Sequence, residues 1–245
     1  MILGIVFDLG DTLVTQESLA GSAACHEGAG AILPVIHEHG HWFPSQEQLA
    51  AALGESFHEA VVAAYDGDLA QPEAERVFLE ALRELECELP PKLARPTLDT
   101  YFQPFYDGMA PIGEIIPMLT FARSLGLRLG LLANILWGED LLRERLARLG
   151  IANFMAAMLL SSEIGWMKPY PTTFREIARR LGLDPSEVVM IGDDPVVDVL
   201  GARRAGLKAV WKRTDPGQEP APGVAADLVI DDIRQVLPAV AEMMI

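Results

Sequence analysis

Six short apolar runs punctuate the chain, at residues 2–7, 127–132, 155–160, 188–191, 207–211 and 227–230. Most do not alternate apolar with polar, so they read as strands buried on both faces. Between and after the later runs lie amphipathic stretches with helical spacing, near 113–125, 139–149, 171–182, 195–205 and 232–243. Strand and helix alternating in this way predict a parallel sheet covered by helices. The expected fold class is therefore α/β, a Rossmann-like parallel sheet core with helices on both faces.

Residues 15–111 have a different texture. Helical spacing dominates, and nothing there reads as a strand. Ser45-Gln46-Glu47-Gln48 is a capping-box pattern ahead of Leu49, Ala52, Leu53 and Phe57. Pro72 suits the first turn of a helix carrying Val77, Phe78, Leu82 and Leu85, and Leu89-Pro90-Pro91 ends it. The expected organisation is a core made of residues 1–14 and 112–245, interrupted by an all-helical cap at 15–111. An insertion directly after the first strand belongs at the carboxyl edge of the sheet, where open α/β sheets bind ligands.

Composition narrows the function classes. Lys and Arg number 19 against 35 Asp and Glu, a formal charge of −16. Such a chain repels nucleic acid and anionic membrane, so neither is an expected partner. No apolar stretch reaches the roughly 18 residues of a membrane span, and the amino terminus lacks the pattern of a secretory leader. Cys25 and Cys87 have no metal spacing and fit a reducing compartment. The expected location is cytoplasmic, as a monomer or homodimer. The same acidity would repel an anionic substrate unless a cation sits in the site.

Polar clusters follow four of the predicted strands: Asp8-Leu9-Gly10-Asp11-Thr12, Ala133-Asn134, Lys168-Pro169 and Gly192-Asp193-Asp194 through Asp198. The carboxyl ends of parallel strands share one edge, so these clusters can converge. Asp8, Asp193 and Asp198 would then crowd one another, and a hard divalent cation relieves that crowding. A carboxylate beside such an ion can attack phosphorus and form an aspartyl-phosphate. Lys168 would stabilise charge on the nucleophile and the transferring group. Asn134 and nearby backbone N–H groups could hold the other phosphate oxygens.

Three segments carry a family resemblance: residues 7–13, from Phe7 to Leu13; residues 163–169, from Glu163 to Pro169, with Phe174 after them; and residues 191–206, including Asp193, Asp198, Gly201-Ala202 and Ala205-Gly206. In this order, each after a strand, they resemble the first, Lys and acidic motifs of the haloacid dehalogenase superfamily. The helical insertion is similar to the cap that follows the first motif in one subfamily. The resemblance implies Mg²⁺-dependent hydrolysis of a small phosphorylated metabolite. Asp8 is the implied nucleophile and metal ligand. The Gly10 carbonyl and Asp193 are further metal ligands, with Asp198 direct or in the outer shell and Asp194 an alternative. Lys168 is the implied anchor of nucleophile and phosphate.

Two positions depart from the family pattern. Phosphatases of the superfamily carry a second Asp two residues after the nucleophile as general acid and base, where this chain has Gly10, with Asp11 one residue later. The second motif has Ala133 in place of the usual Ser or Thr hydroxyl. A lost general acid costs on the order of 10²–10⁴ in rate. The expectation is a slow hydrolase, or one in which Asp11 is catalytic in the acid role. The alternatives are a non-catalytic relative that binds a ligand or partner, and, ranked lower because the acidic fourth motif is intact, a 2-haloacid dehalogenase.

Other motifs have plainer readings. His37-Glu38-His39-Gly40-His41 reads as a helix end, where His suits the dipole and Gly the cap, rather than as a metal site. Gly28-Ala29-Gly30 follows no strand and is no phosphate loop. Residues 216–223, rich in Gly and Pro, read as a surface loop. The four tryptophans read as packing residues, although Trp137 and Trp166 flank the expected site.

Overall fold

The computed structural model describes residues 1–39, 44–219 and 222–243. Six strands form one sheet: β1 (Gly4–Phe7), β2 (Arg128–Ala133), β3 (Ala157–Leu160), β4 (Val188–Gly192), β5 (Lys208–Lys212) and β6 (Leu228–Ile230). Every pairing is parallel, in the order β3-β2-β1-β4-β5-β6. The short first strand is central, and Ile5, Val6 and Phe7 are fully buried. A strand covered on both faces needs an uninterrupted apolar run, which the sequence supplies. Phe7 is in register with Leu131 of β2 and Ile191 of β4. Asp8 therefore leaves the sheet level with the carboxyl ends of both neighbours, and its N–H continues the ladder to the Ile191 carbonyl at 2.9 Å.

The helices are α1 (Ala23–Glu38), α2 (Gln46–Asp66), α3 (Ala74–Glu84), α4 (Pro91–Asp107), α5 (Ile115–Ser124), α6 (Glu139–Arg148), α7 (Ser161–Ile164), α8 (Pro171–Arg180), α9 (Gly201–Ala205) and α10 (Val236–Glu242). One turn of π-helix, Pro195–Leu200, precedes α9. Helix α8 packs on β2 and β3, and α9 on β5. Val6, Leu132, Leu159, Met190 and Trp211 join Phe174 and Ile177 in one core beneath them. Helices α5 and α10 pack on each other and on β2 and β6. The Rossmann-like α/β class expected from the sequence is thus present. Two elements differ in detail. Strand β3 starts at Ala157 because Ala152–Phe154 forms a 3₁₀ turn ahead of it. The helix expected at 195–205 opens as the π turn.

The chain divides into two compact units. The sheet unit is Met1–Thr15, Ala110–Asn134 and Leu146–Ile245. The helical unit is Gln16–Met109 together with Ile135–Arg145. In the helical unit the expected capping box forms, with the Ser45 hydroxyl accepting from the Gln48 N–H and the Gln48 side chain from the Ser45 N–H. Its core is aromatic. Phe57, Tyr101, Phe102 and Phe105 lie with ring centroids 5.1–5.8 Å apart. Gly28 belongs to this packing, since a Cβ there would lie 2.3 Å from the Tyr101 carbonyl oxygen. Its role is close approach of α1 to α4 rather than a loop.

Residues 135–145 read in the sequence as part of the sheet-covering set, but group with the helical unit for specific polar reasons. The Trp137 indole donates to Asp99 at 2.8 Å and lies under the Arg95 guanidinium at 5.1 Å. Tyr106 donates to the Trp137 carbonyl. Gln71 donates to the Ile135 carbonyl at 2.9 Å, and Arg145 to the Met109 carbonyl at 2.6 Å. Gly40 and His41 of the histidine-rich stretch lie outside the described residues. Helix α1 ends at Glu38, and the His39 ring meets the Val35 carbonyl at 2.9 Å. No helix among the described residues is long and apolar enough to cross a membrane.

Candidate active site

The three acidic residues expected to converge do so. Carboxylate oxygens of Asp8, Asp193 and Asp198 lie within 4.8 Å of one another. Each comes from a different piece of local structure. Asp8 ends β1. Asp193 follows β4 directly. Asp198 is carried by the π turn, whose start is capped by Asp194 through its side-chain oxygen, 2.7 Å from the Val196 and Val197 amides. Asp194, the alternative ligand in the sequence reading, therefore serves as the helix cap. Gly192 makes room for this arrangement. A Cβ there would lie 2.3 Å from the Asp198 carboxyl carbon, so Asp198 folds over a position where only hydrogen fits.

Lys168 lies at the centre. Its ammonium is 2.5 Å from Asp8 Oδ1 and 2.6 Å from Asp198 Oδ1, and the residue is 2% exposed. The other Asp198 oxygen accepts from the Asp194 N–H at 3.1 Å. Burial works against the ammonium charge. The carboxylates of Asp198 and Asp8 more than reverse that effect and hold the amine protonated. Burial likewise raises the Asp198 carboxyl, against the pull of Lys168. Among the described residues no cation is in hydrogen-bond contact with Asp193, and its pKa is pushed up to about 7, first by burial and then by the charges of Asp8 and Asp198. One ammonium thus serves three carboxylates. The uncompensated charge, the all-oxygen donor set and the spacing fit a hard divalent cation.

Asn134, expected on phosphate, here braces the Lys168 backbone. Its amide nitrogen donates to the Lys168 carbonyl at 3.0 Å, and its amide oxygen accepts from the Lys168 N–H at 2.8 Å. It grips the backbone that aims the lysine. Trp166 and Tyr170 stack across the same loop with ring centroids 4.5 Å apart. Ala133, buried at the end of β2, brings no hydroxyl. Asp11 is exposed and in left-handed backbone conformation (φ 51°), and its charge contributes to raising Asp193. Gly10 sits between Asp8 and Asp11 in the same loop, where it forms a bridge with Val14.

Three residues at this edge had no role in the sequence reading. Thr12 is fully buried, with its hydroxyl 3.5 Å from Asp193 Oδ1. The Trp211 indole donates to the Asp193 carbonyl at 2.8 Å, and the Lys212 ammonium to the Asp11 carbonyl at 2.7 Å. Thr12 was visible within the first motif. Trp211 and Lys212 had no local signal beyond standing at a strand end.

A family model described as haloacid dehalogenase-like hydrolase matches residues 2–206, and so spans all three motifs. The chain belongs to this hydrolase family. Among relatives of the haloacid dehalogenase-like hydrolase, a phosphoserine phosphatase from Thermus thermophilus is 38% identical over 205 residues, covering 78% of each chain. A glyceraldehyde 3-phosphate phosphatase from Methanopyrus kandleri is 33% identical over 246 residues, covering 99% of each. A solved 2-haloacid dehalogenase from Pseudomonas syringae pv. tomato shares the fold, with a TM-score of 0.70 at 24% identity, covering 99% of this chain and 100% of that one. The hydrolase is thus an enzyme whose relatives include phosphatases and whose fold is also that of dehalogenases.

Proposed function

We propose that this hydrolase is a Mg²⁺-dependent phosphatase of small phosphorylated metabolites that works through an aspartyl-phosphate on Asp8. The observation that carries the reading is the position of Lys168 between Asp8 and Asp198, with Asp193 in reach. The phosphatases at 38% and 33% identity support the same chemistry. Asp8 and Asp193 would hold the metal, with the Gly10 carbonyl completing the protein ligands and Asp198 acting from the outer shell through Lys168. When bound, the ion supplies the positive charge that lets two anions meet.

The Asp8 carboxylate attacks phosphorus, and the bond from phosphorus to the leaving oxygen breaks. Asp11 gives that oxygen its proton. Water then attacks the acyl phosphate, Asp11 takes the proton back, and inorganic phosphate leaves with Asp8 restored. Lys168 holds Asp8 in place and offsets charge as the phosphoryl group transfers. Asn134 acts at one remove, by fixing the lysine's backbone. The helical insertion is read as the cap that selects the substrate.

The test is a panel of phosphomonoesters with and without Mg²⁺. Turnover is expected to need the metal and to vanish in Asp8→Asn. Asp11→Asn is expected to lower kcat on alkyl phosphates by about 10²-fold, and far less on p-nitrophenyl phosphate, whose leaving group needs no proton. Halide release from a 2-haloacid that survives a chelator would overturn the phosphatase reading. Equal losses on both ester types would remove Asp11 from the acid role.

A further inference from the structure

Lys212 is 6% exposed, at the carboxyl end of β5. Burying an ammonium is costly unless its donors are satisfied, and a carboxylate is its usual partner. Lys212 instead donates to a backbone carbonyl, that of Asp11, at 2.7 Å. Asp11 is one of three non-glycine residues among those described with positive φ. Left-handed backbone is unfavourable for a residue with a side chain, although Asp tolerates it better than most, and it persists where surrounding contacts hold it. Two contacts do so. The Asp11 N–H donates to the Val14 carbonyl at 2.8 Å, and its own carbonyl accepts from Lys212. Both backbone polar groups of the strained residue are thereby fixed.

The neighbouring residue does a parallel job. Consecutive strand residues point to opposite faces, and Trp211 donates to the Asp193 carbonyl. The last two residues of β5 therefore grip the backbones of both acidic loops. They lie beyond residues 2–206, the stretch matched by the family model.

We propose that Lys212 is a positioning residue: by fixing the Asp11 carbonyl it locks the turn that follows the nucleophile, and through that turn it sets the affinity of the acidic edge for a divalent cation. The cation part rests on the function proposed above. Lys212 also senses Asp232 electrostatically, so the competing role is that of a mere counter-charge. The two roles have opposite consequences. A counter-charge repels Mg²⁺, and removing it would tighten binding. A lost clamp loosens the turn and weakens binding.

The experiment uses the full chain without substrate. Mg²⁺ binding is measured by calorimetry, and amide hydrogen exchange of residues 9–14 is measured in chelator. Lys212→Met is expected to weaken Mg²⁺ binding about 10-fold or more and to speed exchange in the turn by a similar factor, as loss of an outer-shell support does. Lys212→Arg, which keeps charge and donors, should stay within about 3-fold of the parent on both. If Lys212→Met does not fold, Lys212→Gln is read in its place. Unchanged exchange, or Mg²⁺ binding as tight as or tighter than the parent's, overturns the proposal. If the parent itself binds no Mg²⁺, the metal reading fails, and exchange alone upholds or overturns the clamp.

Discussion

The two compact units place their polar groups in opposite ways. Asp8, Lys168, Asp198 and Lys212, the buried charged residues among those described, all belong to the sheet unit and sit at the carboxyl edge of its strands. The helical unit buries aromatic rings and small residues, and its polar residues in the buried class among those described are neutral, such as Thr97 and the pair formed by Cys25 and Tyr101 at 3.3 Å. A core of rings can be optimised for packing alone. An edge that gathers three carboxylates around one amine is less stable than an apolar equivalent would be, and that loss is intelligible only if the charges do something. The difference therefore sets the region proposed to carry chemistry apart from a region whose buried side chains serve packing.

The sharpest way to break this comparison is Lys168→Met. It removes the only ammonium among the described residues in contact with Asp8 and Asp198 and strands two buried carboxylates. Breaking a buried pair costs about 3–5 kcal/mol, and loss of charge stabilisation at the reacting group adds about 10²–10³-fold in kcat. Denaturant unfolding and turnover are both expected to suffer. If Lys168→Met proves as stable as the parent, the edge stores none of the electrostatic tension described above.

The helical unit should respond differently. Phe57→Ala empties the centre of the ring cluster and is expected to cost about 3–5 kcal/mol of stability. Turnover per folded molecule on a small activated ester, measured well below the unfolding midpoint, should change less than about 3-fold, because no charge at the edge has moved. A kcat loss comparable to that of Lys168→Met would erase the division of labour between the units.

What could be read in the sequence follows the same division. Asp8 and Asp193 were legible because each stands just past a recognisable apolar run, and Lys168 and Asp198 because each lies in the short segment that follows one; parallel strands bring such ends together by topology. The placement of residues 135–145 was not legible. Their amphipathic pattern suits either unit, and the choice is made by Trp137 on Asp99 and Arg95, and by Arg145 on the Met109 carbonyl, partners far apart in the chain. The bracing of Lys168 by Asn134 was not legible for a related reason. An amide beside a phosphate site and an amide clamping a lysine backbone have the same local text. Lys212 was missed because a lysine ending a strand is ordinarily solvated, and only the tertiary structure shows it buried.

The smallest expected effect concerns the carboxylate left without a contacting cation, and it depends on pH. The Asp193 carboxyl titrates near 7 in the folded chain, against an ordinary value of 3.8. Between those two values this carboxyl binds more protons in the folded state than in the unfolded state, so its contribution to the stability of metal-free protein falls as pH rises from about 4 to about 7 and levels off above. Asp193→Asn removes this share of the dependence and leaves the share of Asp198, whose carboxyl is also raised by burial. In chelator it should therefore be more stable than the parent at pH 8, by about 1–3 kcal/mol once partial exposure is allowed for, and indistinguishable from it near pH 4. Added Mg²⁺ competes with the proton for the same oxygens, so it should raise the parent's unfolding midpoint at pH 8 and do little at pH 5, while Asp193→Asn responds weakly at either. Thermal denaturation of the two proteins at both pH values, with and without Mg²⁺, reads out all of this. A parent that gains stability between pH 5 and pH 8 in chelator relative to Asp193→Asn would mean that the edge carries enough positive charge of its own, and the need for a cation there would disappear with it.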